Sequence, residues 1–315
     1  MKKTKKILKL ICGAGNENFS EIEKLSFIYA LAGFNMIDTS SNIKSVEAVK
    51  SGIKKAGKTN EISLCVSIGL QDDIHLSKAV INNQKCTKCG LCINICGRNA
   101  IFKEANKFIV NEKECIGCSK CIKNCKQNAI IRENKYQNPA KMLMPVLDSG
   151  IDCVEFHCTS SNERLIKESF QEIKSLFKGQ LSICMSRLKF GDEKIISLLK
   201  QMTAEREDTI IQADGNPMSG SVNDFKSNIQ TVSFAELIRN SGINSTLILS
   251  GGTNKKTSEF AKICDISIDG VAVGSFARKT VKEYIIKNDF WENTEIIGKA
   301  VENAKSISNS LLQYL

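Results

Sequence analysis

Residues 86–96, CTKCGLCINIC, recur 29 positions later as residues 115–125, CIGCSKCIKNC, with every cysteine gap conserved: two residues, two, then three. Eight thiols fixed in duplicate within so short a stretch constrain the fold more than any other feature of this chain. The likeness runs past the cysteines, since NICGRNAIF echoes KNCKQNAII. Two half-domains related by a pseudo-twofold axis are therefore expected. Tetrahedral zinc would use two C-x2-C pairs and leave Cys96 and Cys125 idle. A disulfide framework needs an oxidising compartment and an export signal.

The C-x2-C-x2-C-x3-C run is the one that holds 4Fe–4S clusters in bacterial ferredoxins, where the fourth cysteine serves the other cluster. That rule assigns Cys86, Cys89, Cys92 and Cys125 to one cluster and Cys115, Cys118, Cys121 and Cys96 to a second. A Pro usually follows the last cysteine of each run; here Gly97 and Lys126 stand there.

The cysteines occupy a small part of a 315-residue chain. On either side, short apolar runs alternate with amphipathic helical periods. Eight strands are predicted: Ile7–Cys12, Met36–Thr39, Ile62–Ile68, Cys153–His157, Leu181–Met185, Thr209–Gln212, Thr246–Leu249 and Gly270–Val273. They are apolar throughout, as strands covered on both faces should be. Ile22, Leu25, Ile28, Tyr29 and Ala32 share one helical face behind a Ser20…Glu23 capping box. Ile166, Phe170, Ile173 and Phe177 share another behind Ser160…Glu163. Asn138-Pro139 opens a helix expected to stop at Gly150, and a last helix covers about Glu292–Gln313.

Eight such units predict an α/β chain, a (β/α)8 TIM-barrel-like domain with an inserted two-cluster ferredoxin domain. Residues 1–80 supply the first three barrel strands, 81–135 the insert, and 136–315 the remaining strands and the C-terminal helix. A doubly wound sheet is the rival, because CGAGNEN follows the first strand and Asp38 lies downstream. The third fingerprint glycine, however, falls at Asn18. In a barrel the insert occupies a βα loop, on the face that carries chemistry.

The same face carries LSGGTN after the seventh strand and VAVGSFARK after the eighth. Gly251, Gly252, Gly274 and Ser275 there suit a phosphate, and hence flavin mononucleotide (FMN); equally, the glycines permit tight turns. Asp38, His157, Cys158, Arg187, Lys189 and Asp214 end strands where catalytic groups would lie. His157, Arg187 and Asp214 are the candidates for acid–base work, although a buried, satisfied histidine would look the same. Cys12 also ends a strand, and no activating partner is readable for it or for Cys158.

The net charge of +10 does not signal nucleic acid, since no basic strip interleaved with aromatics is present. Residues 81–135 hold eleven Lys/Arg against four Asp/Glu. Two oxidised clusters at about −2 each would offset part of that excess, and the remainder suits an acidic redox partner. No apolar run approaches the roughly 18–20 residues of a membrane span. Fourteen cysteines behind an N-terminus that does not read as a signal peptide predict a reducing cytoplasm.

The block KLICGAGNENFSEIEKLSFIYALAGFNMID, the cysteine insert, QADGNPMSG and LSGGTN together resemble the light-dependent period family of the cyanobacterial clock. The resemblance covers most of the chain and implies a cytoplasmic iron–sulfur protein. Such a protein would sense cellular redox state and pass it to circadian input components, a sensor kinase among them. Of functional residues it carries over only the eight cluster cysteines. The Gly-Thr-Thr stretch expected between Gly220 and Leu247 is absent. The rival reading is a flavin-dependent oxidoreductase in which two clusters pass electrons to FMN on the barrel face.

Overall fold

A computed structural model describes residues 6–13, 15–71, 73, 76–134, 138–187, 189–206, 208–215 and 225–315. The chain begins with β1 (Ile7–Ile11), α1 (Phe19–Leu31), β2 (Met36–Ser40), α2 (Ile43–Lys55) and β3 (Ser63–Gly69). The cysteine region follows as β4 (Ser77–Ile81), α3 (Leu91–Ile95), β5 (Ile101–Glu104), β6 (Lys107–Val110), α4 (Lys120–Lys123) and β7 (Ile130–Asn134). Next come α5 (Pro139–Leu143), β8 (Cys153–His157), α6 (Glu163–Leu176), β9 (Gln180–Ser186), α7 (Asp192–Ala204) and β10 (Ile210–Asp214). The chain ends with α8 (Ile229–Asn240), β11 (Thr246–Ser250), α9 (Thr257–Ile263), β12 (Gly270–Val273), α10 (Ser275–Ile285) and α11 (Thr294–Leu312).

Strands β1, β2, β3, β8, β9, β10, β11 and β12 close a parallel barrel in that order. Closure rules out the doubly wound sheet. Two of the predicted strands have the predicted bounds and the other six shift by a residue or two at their ends. Outside the barrel, the apolar faces of α1 (Ile22, Leu25, Ile28, Tyr29) and α6 (Ile166, Phe170, Ile173) are fully buried. Each such side chain contributes about 1.5–3 kcal/mol.

The helix starts differ from the capping boxes. Asn18, not Ser20, caps α1, its side chain accepting from the Glu21 amide at 3.0 Å. Asn162, not Ser160, caps α6 through the Leu165 amide at 3.1 Å. A short Asn carboxamide reaches the N3 amide as well as Ser does, and Glu23 is instead drawn 2.9 Å from Lys55 of α2. Asn138 and Pro139 open α5 as expected, and the turn ends at Gly150 with φ of 66°. Its second half, Met144–Ser149, tightens to a 3-10 helix, because Pro145 has no N–H for an α-helical bond.

The cysteine region leaves the barrel from the carboxyl end of β3. Its outer ladder pairs β4 with β7 antiparallel, from Ser77↔Asn134 to Ile81↔Ile130, and β5 pairs with β6. Advancing 29 positions carries β4 onto β6 and β5 onto β7, as the sequence repeat demands. Cross-links obey the same shift: Asn82 N donates to Ala129 O at 2.8 Å, and Asn111 N to Ala100 O at 2.7 Å.

Within the barrel, one layer is apolar: Met36, Cys65, Cys153, Ile210, Ile248 and Ala272. The layer above it is not. Lys9, Asp38, Ser67, Glu155, Ser182 and Gln212 are all buried there, against the usual filling by branched aliphatics.

Candidate functional site

Each half of the insert turns its backbone with left-handed residues at matching places. Lys88 and Gly117 have φ of 60° and 67°, Gly90 and Ser119 of 78° and 61°, Asn99 and Asn128 of 54° and 48°. Three of these turns aim amide hydrogens at sulfur: Lys88 N lies 3.4 Å from Cys86 Sγ, Ala100 N 3.3 Å from Cys96 Sγ and Ala129 N 3.3 Å from Cys125 Sγ. Ala79 N adds a fourth contact, 3.4 Å from Cys115 Sγ. Cys92, Cys115 and Cys121 are buried, Cys86, Cys96 and Cys125 half-buried, and Cys89 and Cys118 exposed, all as free thiols. Burial, reinforced by the neighbouring Cys118 and Cys115, pushes the Cys121 thiol up to about 11; burial also raises Cys92. Sulfurs gathered this closely ionise together only against a cationic centre. An all-thiol donor set with amide N–H groups turned on the sulfurs fits a 4Fe–4S cluster.

The two sets differ in setting. Cys96, Cys115, Cys118 and Cys121 line a cavity of about 510 Å³ whose far wall includes Ser275, Arg278, Lys279 and Lys282 of α10. Cys86, Cys89, Cys92 and Cys125 do not line it. Around its edge the insert is tied to the barrel. Arg98 Nη1 lies 2.9 Å from Glu21 Oε1, and Arg98 Nη2 3.0 Å from Glu114 Oε2. Arg278 Nε lies 2.9 Å from the same Glu21 oxygen. Lys78 Nζ donates to Gly15 O and Cys115 O, both at 2.8 Å, and Asn18 Nδ2 to Glu114 Oε1 at 2.6 Å.

Beside this junction the barrel mouth holds a chain of buried charge. Lys9 Nζ is hydrogen-bonded to Glu155 Oε2, 3.2 Å from Gln212 Oε1 and 4.0 Å from Asp38. His157 Nδ1 lies 2.9 Å from Asp73 Oδ2, and Nε2 3.0 Å from Glu155 Oε1. With both ring nitrogens on carboxylates, the imidazole is held as its cation. Burial opposes that charge, but Asp73 and Glu155 outweigh it and keep the His157 pKa well above its usual value. Burial likewise opposes the charge on Lys9, and the surrounding groups, Asp38 first and Glu155 among them, together outweigh it. Burial would raise Glu155, but Lys9 and His157 hold it well below the carboxylate range. Burial lifts Asp38 to about 6 and Asp214 to about 7, where Glu155 and Asp73 add to the rise.

The pattern of the light dependent period A C-terminal domain matches residues 145–312, spanning β8 through α11. The chain belongs to the light dependent period A family. A 4Fe–4S binding domain pattern matches residues 79–102, which include the first cysteine run. "Light dependent period A" of Synechococcus elongatus (strain ATCC 33912 / PCC 7942 / FACHB-805) is 26% identical over 353 residues, covering 97% of this chain and 91% of that protein. Among solved structures, the YdjI aldolase from Escherichia coli K12 superposes with a TM-score of 0.51 at 8% identity, over 98% of this chain and 90% of the aldolase. That likeness is one of fold. Among the described residues, no helix is long and apolar enough to cross a membrane.

The family match encloses all the strand-end candidates except Asp38, and the barrel sorts them. His157 ends β8 and Asp214 ends β10 at the same end of the barrel, where the His157 charge acts on the Asp214 carboxyl. Arg187 instead pairs with a side chain in the first turn of α7: its Nε donates to Asp192 Oδ1 at 2.8 Å, and its Nη1 donates to Ser233 Oγ at 3.1 Å. Gly251 and Gly252 have φ of 68° and 80°, and a Cβ on Gly251 would strike Gly215 and Asp214, so a tight turn is required there. Gly274 caps α10, and Ser275 opens it and faces the cavity beside the second cysteine set. The Asp214–Gly220 segment runs beyond Gly215 into residues outside those described. Cys12 and Cys158 are buried thiols; burial raises both, Cys12 to about 12.

Lys9, Glu155, Gln212 and Asp73 were not singled out from the sequence. The available signal is a polar residue at the centre of three strands whose neighbouring positions are apolar, ILKLI, CVEFH and IIQAD.

Proposed function

We propose that this chain is an iron–sulfur redox sensor with two clusters, in which the insert reports on cellular redox or light state and the barrel passes that state to protein partners. The observation that carries the reading is the cavity shared by Cys96, Cys115, Cys118 and Cys121 with Arg278, Lys279 and Lys282 of the barrel. A 4Fe–4S cluster held by those four thiolates supplies a reversible one-electron change of charge. Arg98 and Arg278 border that cavity and both grip Glu21 in the first turn of α1. Extra negative charge beside the two guanidinium groups competes with Glu21 for them, because Coulomb attraction is strong where water is excluded. The start of α1 and the adjoining α10 surface are where such a change becomes legible to a partner. The name of the Synechococcus relative, "Light dependent period A", supports a role tied to light and period, and the partners we infer are clock-input proteins, a sensor kinase among them.

The rival, electron transfer to FMN, draws on Ser275 at the N-terminus of α10 beside the same cavity. One set of measurements tests both. Iron, acid-labile sulfide and released flavin are determined per chain on anaerobically purified protein, and hydrogen exchange is compared between oxidised and dithionite-reduced forms. About eight irons without flavin, with exchange changing at the start of α1, supports the sensor. Stoichiometric flavin supports the oxidoreductase, and exchange that ignores redox state removes the sensor mechanism.

A further inference from the structure

Among the described residues outside the insert, one group of side chains in the barrel has the makeup of a metal site. Glu155, His157 and Cys184 bring a carboxylate oxygen, an imidazole nitrogen and a thiol sulfur within 4.8 Å of one another. They come from neighbouring strands, with His157 and Cys184 register partners and Glu155 two residues before His157 on the same strand face.

We propose that Glu155 Oε1, His157 Nε2 and Cys184 Sγ bind one divalent cation of the zinc class, separate from the iron–sulfur insert. Mixed oxygen, nitrogen and sulfur donors suit zinc, whose bonds of about 2.0–2.3 Å set ligand atoms roughly 3–4 Å apart. The present spread closes to that size with a displacement on the order of 1 Å. Three protein donors leave a fourth position for water or another ligand.

The atoms behind the donors are already placed as a metal site needs them. His157 turns its other nitrogen, Nδ1, to Asp73 Oδ2 at 2.9 Å, the carboxylate–histidine arrangement that fixes ring orientation and raises ligand basicity. Gly69 makes room for that carboxylate, since a Cβ there would overlap Asp73. Glu155 divides its two oxygens: Oε2 faces Lys9, while Oε1 faces His157 and accepts from Gln212 Nε2 at 3.0 Å. In the metal-free arrangement, a hydrogen bond between His157 Nε2 and Glu155 Oε1 takes the place of the cation. Binding displaces two protons, one from His157 Nε2 and one from Cys184 Sγ, and one dication replaces them. The net charge of the buried group is unchanged, so the barrel meets no new uncompensated charge.

The test uses full-length protein, loaded anaerobically with iron and sulfide, given one equivalent of zinc chloride and desalted over a chelating resin. The expected result is about one zinc retained per chain, with X-ray absorption fitting one sulfur and otherwise nitrogen or oxygen neighbours. Cys184→Ser and His157→Gln should lose the zinc while keeping their iron. Asp73→Asn should weaken zinc binding about 10–100-fold. The proposal is overturned if wild-type protein retains no zinc, or if zinc survives both Cys184→Ser and His157→Gln. A four-sulfur shell also overturns it, since that would place the zinc in the insert. Circular dichroism and iron content identify a variant that fails to fold, and the other variant then decides the outcome.

Discussion

Arg98 and Glu21, which lie 77 residues apart in the chain, meet at 2.9 Å where the cysteine insert rests on the barrel. Both are only 13–14% exposed, and Arg278 shares the same carboxylate. Removing one partner leaves half-buried charge unmatched. Arg98→Ala is expected to cost about 2 kcal/mol and to speed hydrogen exchange in the first turn of α1 and around Glu114. Arg98→Lys should recover only part of this, because an ammonium cannot bridge Glu21 and Glu114 as the guanidinium fork does. Unchanged exchange in Arg98→Ala would show that the insert is held by other contacts.

Replacing Cys118, an exposed ligand candidate on the cavity side, separates the insert from the scaffold. Cys118→Ser should drop the iron content from about eight to about four per chain while the far-UV circular dichroism of the barrel persists. Global unfolding of this variant would contradict a barrel that folds around its own core.

The two cysteine sets should differ in reduction potential. Each set receives two amide contacts, from Lys88 and Ala129 on one and from Ala79 and Ala100 on the other, so hydrogen bonds to sulfur do not separate them. Charge does: Lys78, Arg98, Arg132 and Arg278 line the cavity of Cys96, Cys115, Cys118 and Cys121. Positive charge nearby favours the reduced cluster. Electron paramagnetic resonance during potentiometric titration should resolve two steps, with the higher step missing in Cys118→Ser. A single unresolved step would argue that the insert treats its halves alike.

Lys9 sits fully buried against Glu155, with Asp38 4.0 Å away. Lys9→Met strands two carboxylates in the barrel and should cost about 3–5 kcal/mol. Adding Glu155→Gln to it should restore part of the loss, since the double variant removes one of the two unmatched carboxylates as well. Thermal melts of the single and double variants check this.

Burial keeps the Cys12 thiol protonated to about 12, above its unfolded value of 9.0. The folded chain then holds a proton that the unfolded chain releases, so stability falls as pH rises from 9 to 12. Cys12→Ala should flatten that alkaline limb by up to about 1.4 kcal/mol per pH unit. At pH 8.5, iodoacetamide on cluster-loaded protein should mark the exposed Cys264 and spare Cys12.

The strands and the cysteine repeat were readable because each is written locally, as apolar runs with β-branched residues or as fixed gaps between thiols. Helix starts were less so. Asn18 and Asn162 lie within two residues of serines that also match a capping pattern, and the residue that caps is settled only by which side chain reaches the N3 amide, Glu21 N for Asn18 and Leu165 N for Asn162. The charged layer of the barrel was not readable at all. Lys9 meets Glu155 across 146 residues and Gln212 across 203, and no single strand reveals which polar residues closure will bring together. The cavity likewise needs the insert and α10 in one place before it exists.

Ser77 and Asn134 are register partners at the base of the insert, so the chain leaves the barrel rim and returns to it almost at one point. A long excursion tied off by its own ladder adds little to the entropy of closing β3 against β8, because the cost of a loop grows only slowly with its length. The barrel can therefore assemble without waiting for iron. A newly made chain would present a finished scaffold with its thiols still empty, and loading the clusters would become a later and separately controlled event.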